Sequence, residues 1–203
     1  MREDFIQAVK INQTTFGLDL PSTAVELLAD YYELIQQHNE FLHLVGPCSP
    51  EEFAMRHILE SLTLLEHLPK GAKFADVGAG AGLPSIPCLL TRDDLQAVLI
   101  ESKRKKATFL DDAIKNFGLN DKAEIVNRQF EEAEIAGCKF ITCRALDKFT
   151  EKLPRLIKWS GRRRMLLFGG PTLGETLRKC RVPFSAELMP MSRQRFLYVS
   201  DRA

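Results

Sequence analysis

The 203 residues predict an α/β fold, a mostly parallel sheet covered on both faces, with an N-terminal helical extension packed on it. Three observations predict it. From residue 73 onward short apolar runs alternate with amphipathic segments of helical length, the pattern of strand–helix–strand units. The run KFADV (73–77) opens into FADVGAGAG, where Gly78, Gly80 and Gly82 take alternate positions. Before residue 73 the apolar spacing is helical only. The seam falls near residues 69–72, which separates a helical segment, 1–72, from an α/β segment, 73–203.

Thr23 with Glu26 fits a capping box, and Ala24, Leu27, Leu28, Tyr31, Leu34 and Ile35 follow at helical spacing. In SPEE (49–52), Ser49 is placed as N-cap and Pro50 at the first helical position. Phe53, His57, Ser61 and Leu64 share one face of that second helix, which Pro69-Lys70-Gly71 ends. KFADV reads as the first strand, and a helix starts from Leu83 with Pro84 in its first turn. QAVLIE (96–101) is a doubly buried strand closing in an acid. Residues 105–117 form a helix whose stripe of Ala107, Phe109, Leu110, Ala113, Ile114 and Phe117 faces the sheet, and Gly118 stops it. AEIVN (123–127), CKFITC (138–143), RMLLF (164–168) and RFLYVS (195–200) are the remaining strands.

A hydrophobic content of 45% supplies an ordinary globular core, and a net charge of +1 means that any polyanion must meet a local patch. The five cysteines are odd in number, scattered and free of any CxxC pair, so they read as reduced thiols with no metal site and no disulfide framework. MREDFIQAVK lacks the apolar run of a signal peptide, and no stretch reaches the roughly 18 apolar residues of a membrane span. A cytoplasmic protein is expected. Nothing in the sequence sets its oligomeric state, with a monomer as the default.

The glycine loop sits where an open α/β sheet binds its ligand, at the turn from first strand to first helix. The dinucleotide fingerprint G-x-G-x-x-G fails, because its last position here is Leu83. What stands is G-x-G-x-G, preceded by Asp76. An acid there suits a cationic amino-acid moiety and repels a pyrophosphate. S-adenosylmethionine carries a sulfonium and an α-amino group. Glu101 closes the second strand 19 residues after Gly82, where an acid accepts from ribose hydroxyls.

These residues resemble the small-subunit ribosomal RNA methyltransferase G family, also called glucose-inhibited division protein B. DVGAGAGLPSIPCLL (76–90), ESKRKKATFLDDAIKNFGL (101–119), CRALDKF (143–149) and HILESL (57–62) carry the resemblance, which runs from about residue 31 to 199. It implies a class I S-adenosylmethionine-dependent methyltransferase, Rossmann-like with a seven-stranded sheet. It also implies methylation of a guanine N7 in 16S ribosomal RNA, with 16S RNA or the small ribosomal subunit as partner. By position it implies cofactor contacts at Gly78, Leu83, Gln129, Phe130 and Arg144. Arg144 further reads as positioning cofactor or target base. His57 reads first as a core histidine, and the resemblance gives it a bracing role. In the family frame Lys105 and Lys106 start an amphipathic helix and can reach RNA phosphate; Arg162, Arg163 and Arg164 are the alternative basic cluster.

The sequence departs from the family at His38-Asn39 and His43-Leu44-Val45 (usually Trp-Asn and Asn-Leu-Thr), at Glu60 (usually Asp) and at Phe168-Gly169 (usually Lys-Gly). Guanine N7 offers a lone pair without prior deprotonation, so no general base is expected. A methyltransferase on another RNA or a small molecule, and a non-catalytic module that binds cofactor and ribosome, remain the alternatives.

Overall fold

In the computed structural model, residues 1–144 and 146–201 are described; Ala145 of the Arg144-Ala145 pair lies outside them. Parallel strands β1 (Lys73–Val77), β2 (Gln96–Ile100), β3 (Ala123–Val126), β4 (Phe140–Cys143) and β5 (Arg164–Gly169) carry the predicted runs. The sheet has seven strands in the order β3-β2-β1-β4-β5-β7-β6. β7 (Phe196–Ser200) runs antiparallel between β5 and β6 (Phe184–Leu188). The sequence pattern had not marked β6. It is an edge strand with exposed or half-buried residues throughout, so it lacks the apolar run of its neighbours.

Side chains alternate across the strands, and each face builds its own core. Phe74, Leu99, Leu166 and Phe168 join one apolar cluster; Ala75, Val77, Ile100 and Leu167 join the other. The first cluster takes in the N-terminal helices α1 (Arg2–Asn12) and α2 (Ser22–Leu42). There Phe5 stacks on Tyr32 at 4.8 Å and Tyr32 meets Phe53 at 4.9 Å. α1 had no counterpart in the sequence reading, because its apolar residues are interspersed with charges. α2 begins at Ser22 with no side-chain cap, so the capping box expected at Thr23 does not form.

The helix opened by SPEE has the predicted N-cap, with the Glu52 N–H donating to Ser49 Oγ at 3.2 Å. It is not one regular helix. It passes from α3 (Pro50–Phe53) through a π-helical turn over Ala54–Leu59 into α4 (Glu60–Leu62) and a 3₁₀ turn over Thr63–His67. π-Turns recur at functional sites. After β1, a cis Leu83–Pro84 bond precedes α5 (Ser85–Thr91). α6 (Arg104–Asn116) buries the predicted stripe from Ala107 to Ile114. α7 (Phe149–Ser160) and α8 (Pro171–Lys179) complete the cover. Among the described residues no helix is long and apolar enough to cross a membrane, and all five cysteines are free.

Tyr31 joins α2 to the glycine loop. Its fully buried hydroxyl donates to the Ala81 carbonyl. Tyr31→Phe leaves that carbonyl unpaired and should cost about 1–3 kcal/mol, read as a lower urea midpoint at unchanged slope. An unchanged midpoint would mean that the contact carries no net stability.

Candidate cofactor site

The loop after β1 is fastened from below by β2. The N–H groups of Gly78 and Ala79 donate to the Ile100 carbonyl at 2.9 and 3.1 Å. The Glu101 carboxylate then holds two backbone donors, Gly80 N–H at 3.0 Å and Lys103 N–H at 2.7 Å, one on each oxygen. Asn127 Nδ2 donates to the Glu101 carbonyl at 2.7 Å, which fixes that strand end against the turn after β3. Each carboxylate oxygen retains acceptor capacity for a further hydroxyl.

The three glycines differ in role. All have positive φ. A Cβ on Gly82 would sit 2.5 Å from Ile86 Cδ1 and 3.0 Å from Tyr31 Oη, so that glycine is required by the packing of α2 and α5. A Cβ on Gly80 would meet only the Gly78 carbonyl, at 3.6 Å, so its outer face is open to a ligand. Leu146 covers Gly78, its Cδ1 3.1 Å from where a Cβ would stand. Beside it lies a cavity of about 20 Å³ whose walls include Gly78, Gln129, Phe130 and Leu146. The cavity thus brings together three of the predicted residues. Ser102, Arg128, Leu146 and Lys152 also line it. They carried no motif of their own.

Asp76 is fully buried beneath the loop. Ser85 Oγ donates to its Oδ2 at 2.6 Å, while Oδ1 has no partner among the described residues. Burial raises its pKa from 3.8 to about 7, against the opposing pull of the Ser85 hydrogen bonds. An orphaned acceptor of this kind fits a ligand that brings a donor. Leu83 is buried among the helices of the first core and does not line the cavity. Phe130 turns its ring edge-on to Trp159 at 5.5 Å, so its ring serves the second core.

Arg144, expected to reach cofactor or target, turns instead to the π-turn. It donates to Ser61 Oγ at 2.9 Å, to the His57 carbonyl at 3.4 Å and to the Arg56 carbonyl. Glu60 Oε2 lies 3.4 Å away, and the Phe168 ring centroid 5.7 Å from the guanidinium carbon. The carbonyls and the buried acid claim its donors, and Phe168 gives the cation an aromatic seat where the family pattern has a lysine. Desolvation raises the Glu60 pKa, opposed by Arg144 and Arg195, whose Nε donates to Glu60 Oε1 at 2.7 Å. Burial and then Arg144 lower the His57 pKa to about 3, so the imidazole is neutral. It is half-buried and packs on Phe53 at 5.0 Å, at the margin of the first core rather than inside it.

The basic residues separate by sheet edge. Glu101 and the glycine loop lie at the C-terminal ends of the parallel strands. Arg164 starts β5, so Arg162–Arg164 lie at the opposite edge. Arg163 is spent on the carbonyls of Cys138 and Ser160, at 3.0 and 3.3 Å. Lys106 is half-buried and donates to the His43 carbonyl at 3.2 Å, with its pKa lowered by burial. Lys105 is exposed.

This sheet order with a glycine loop between β1 and α5 is the Rossmann-like fold of S-adenosylmethionine-dependent methyltransferases. A methyltransferase of that kind from Aquifex aeolicus superposes with a TM-score of 0.58 at 12% identity, over 84% of this chain and 97% of that one. The N-terminal domain of human METTL16, solved with S-adenosylhomocysteine, gives 0.54 at 17% identity, over 86% and 82%. Within that class the chain belongs to the rRNA small subunit methyltransferase G family, whose pattern matches residues 24–181. The ribosomal RNA small subunit methyltransferase G of Neisseria meningitidis serogroup C, serotype 2a, is 32% identical over 145 residues, 71% of this chain and 68% of that protein. The Chromobacterium violaceum protein of the same name is 37% identical over 137 residues, 66% and 65% respectively.

Two outcomes follow from this geometry. Gly82→Ala should lower the melting temperature substantially more than Gly80→Ala, because only the former drives a methyl into Ile86; equal losses would mean that backbone strain alone sets both. The second outcome concerns Asp76. A carboxyl with a raised folded pKa stabilises the fold below its unfolded pKa, and that contribution is lost as pH rises from about 4 to about 7. Asp76→Asn does not titrate there, so its unfolding free energy should gain on wild type through that window, by a few kcal/mol in order of magnitude, and then run parallel. His57 acts with the opposite sign in the same window but is common to both proteins. A gap independent of pH would place the folded Asp76 pKa in the ordinary range.

Proposed function

We propose that the chain transfers a methyl group from S-adenosylmethionine to N7 of a guanine in 16S ribosomal RNA, in the cytoplasm. The observation that carries this is the Glu101 carboxylate tied to the Gly80 N–H at the C-terminal edge of the sheet, in a chain of this family. Glu101 would accept from the ribose hydroxyls with its remaining lone pairs. The orphaned Oδ1 of Asp76 would accept from the α-amino group, and the open face of Gly80 would admit close backbone approach. Gln129 and the Phe130 backbone would flank the base. Leu146, which covers Gly78, borders the approach to this loop.

When bound, the cofactor supplies an electrophilic methyl on a cationic sulfur. Guanine N7 offers an in-plane lone pair that would take the methyl as the sulfonium C–S bond breaks and the thioether leaves, so no proton would have to be removed first. The protein's contribution is then orientation and exclusion of water, which can supply much of the barrier reduction. Neutral His57, enclosed against Arg144, is not asked to act as a base. Arg144 acts here as a positioning residue: it fixes the strand end that carries Leu146 to the π-turn.

The test is transfer of a labelled methyl to 16S RNA, to intact small subunits and to an unrelated RNA. Label should enter guanine N7 of one 16S substrate only. Label in the unrelated RNA would support a different target, and cofactor binding without transfer to any RNA would support the non-catalytic alternative. Glu101→Gln should weaken cofactor affinity roughly tenfold or more, because charge-assisted hydrogen bonds are worth about 1.5–3 kcal/mol. Calorimetry showing an unchanged dissociation constant would remove Glu101 from the site.

A further inference from the structure

We propose that the groove between the end of α2 and the start of α6 seats a single-stranded RNA segment, with one unpaired base stacked on Phe41 and adjacent phosphates on Lys103, Arg104 and Lys105. This rests on the reading of the substrate as RNA and places that strand on the surface.

Phe41, on the last turn of α2, is 77% exposed. It borders a recess of about 350 Å³, whose other wall is the run Lys103–Lys106. A second recess of about 300 Å³ shares Phe41, Leu42 and Lys105 with the first and is otherwise lined by residues that include His38, Phe109 and Asp112. The two walls are held in place. Lys106 donates across the recess to the His43 carbonyl at 3.2 Å, and Asn39 clamps Val45 through both its side-chain oxygen and its side-chain nitrogen, at 2.9 and 3.1 Å. Phe41 therefore projects from a helix end that these contacts tie down.

Lys103, Arg104 and Lys105 are exposed, and among the described residues none of them forms an ion pair. The first turn of α6 carries no acid. Cations at the positive end of a helix are locally unfavourable, and a local rule broken in this way is common at binding sites. Asp112 is the acid at the groove; it lines the second recess together with Lys105 and does not line the first. An exposed aromatic beside a row of unpaired cations is the chemistry of base stacking with backbone tracking, which every unpaired base can satisfy. The duplex form hides its base faces and would leave Phe41 unused. The position also serves the reaction: the Lys103 N–H is bound to the Glu101 carboxylate at 2.7 Å, so a strand in the groove runs to the cofactor edge.

The probe is a fluorescein-labelled, single-stranded oligoribonucleotide of mixed sequence, read by anisotropy on the full chain without turnover. Phe41→Ala should weaken binding about tenfold and Phe41→Trp should retain it, since either aromatic stacks on a base. Lys103→Ala with Lys105→Ala should flatten the log–log salt slope by roughly 1.4, about 0.7 for each lost contact. All variants should bind S-adenosylhomocysteine as wild type does and melt at the wild-type temperature, because the replaced side chains are exposed. The proposal is overturned if Phe41→Ala binds the oligoribonucleotide as wild type does, or if the Trp variant fails to restore binding. It is also overturned if the losses appear only with intact small subunits, which would make an acidic ribosomal protein segment the occupant. Methyl transfer by wild type separates the two readings. Transfer with unchanged RNA binding by the variants removes the groove alone; Phe41-dependent RNA binding without transfer removes the activity alone.

Discussion

One carboxylate organises the ligand edge of this sheet. Glu101 accepts the N–H of Gly80 from the loop after β1 and that of Lys103 from the turn into α6. Both donors would otherwise be backbone groups in turns without a ladder partner. Fixing them with one buried acid sets the loop, the proposed ribose acceptor and the start of the proposed RNA groove in a single frame. Hydrogen bonds to a carboxylate in a poorly hydrated setting are the strong ones.

The N-terminal helices act on the same edge from above. Tyr31 reaches the loop at Ala81, and Arg144 reaches the π-turn from the end of β4. Glu60 is shared between Arg144 and Arg195, so the acid that desolvation would otherwise neutralise is held between two cations. Phe168 lies under the guanidinium. A lysine at that position would face Arg144 and Arg195 as a third cation; the phenyl ring removes that repulsion and gains a cation–π contact. The helices thus bear on the geometry of the loop and of the strand end carrying Leu146, rather than only covering a face of the sheet.

Much of the fold was legible because doubly buried strands are short continuous apolar runs and the α6 stripe keeps a strict helical period. β6 escaped because its sequence, FSAEL, has neither property at an exposed edge. The π-turn escaped because Ala54–Leu59 keeps ordinary helical spacing, and the Arg144 that meets its Arg56 and His57 carbonyls is distant in sequence. The glycine loop and Glu101 could be found from order alone, strand, loop, helix, strand, acid. The differing demands on Gly80 and Gly82 could not, since Tyr31 and Ile86 come from other parts of the chain. Arg144 was legible as a residue at the ligand edge, but its direction was decided by Ser61, His57 and Glu60, which lie more than 80 positions away. Phe41 had no period or motif to mark it; only its exposure beside Lys103–Lys105 does so.

We infer that the loop and the Glu101 junction together form the cofactor's seat. Amide resonances of the ¹⁵N-labelled protein, followed while S-adenosylhomocysteine is added, test it directly. The N–H signals of Gly78, Gly80 and Lys103 should shift together and saturate with one dissociation constant, while those of Arg2–Asn12 in α1 stay in place. Saturable binding by calorimetry with the Gly80 and Lys103 signals unmoved would contradict it and put the ligand elsewhere on the chain.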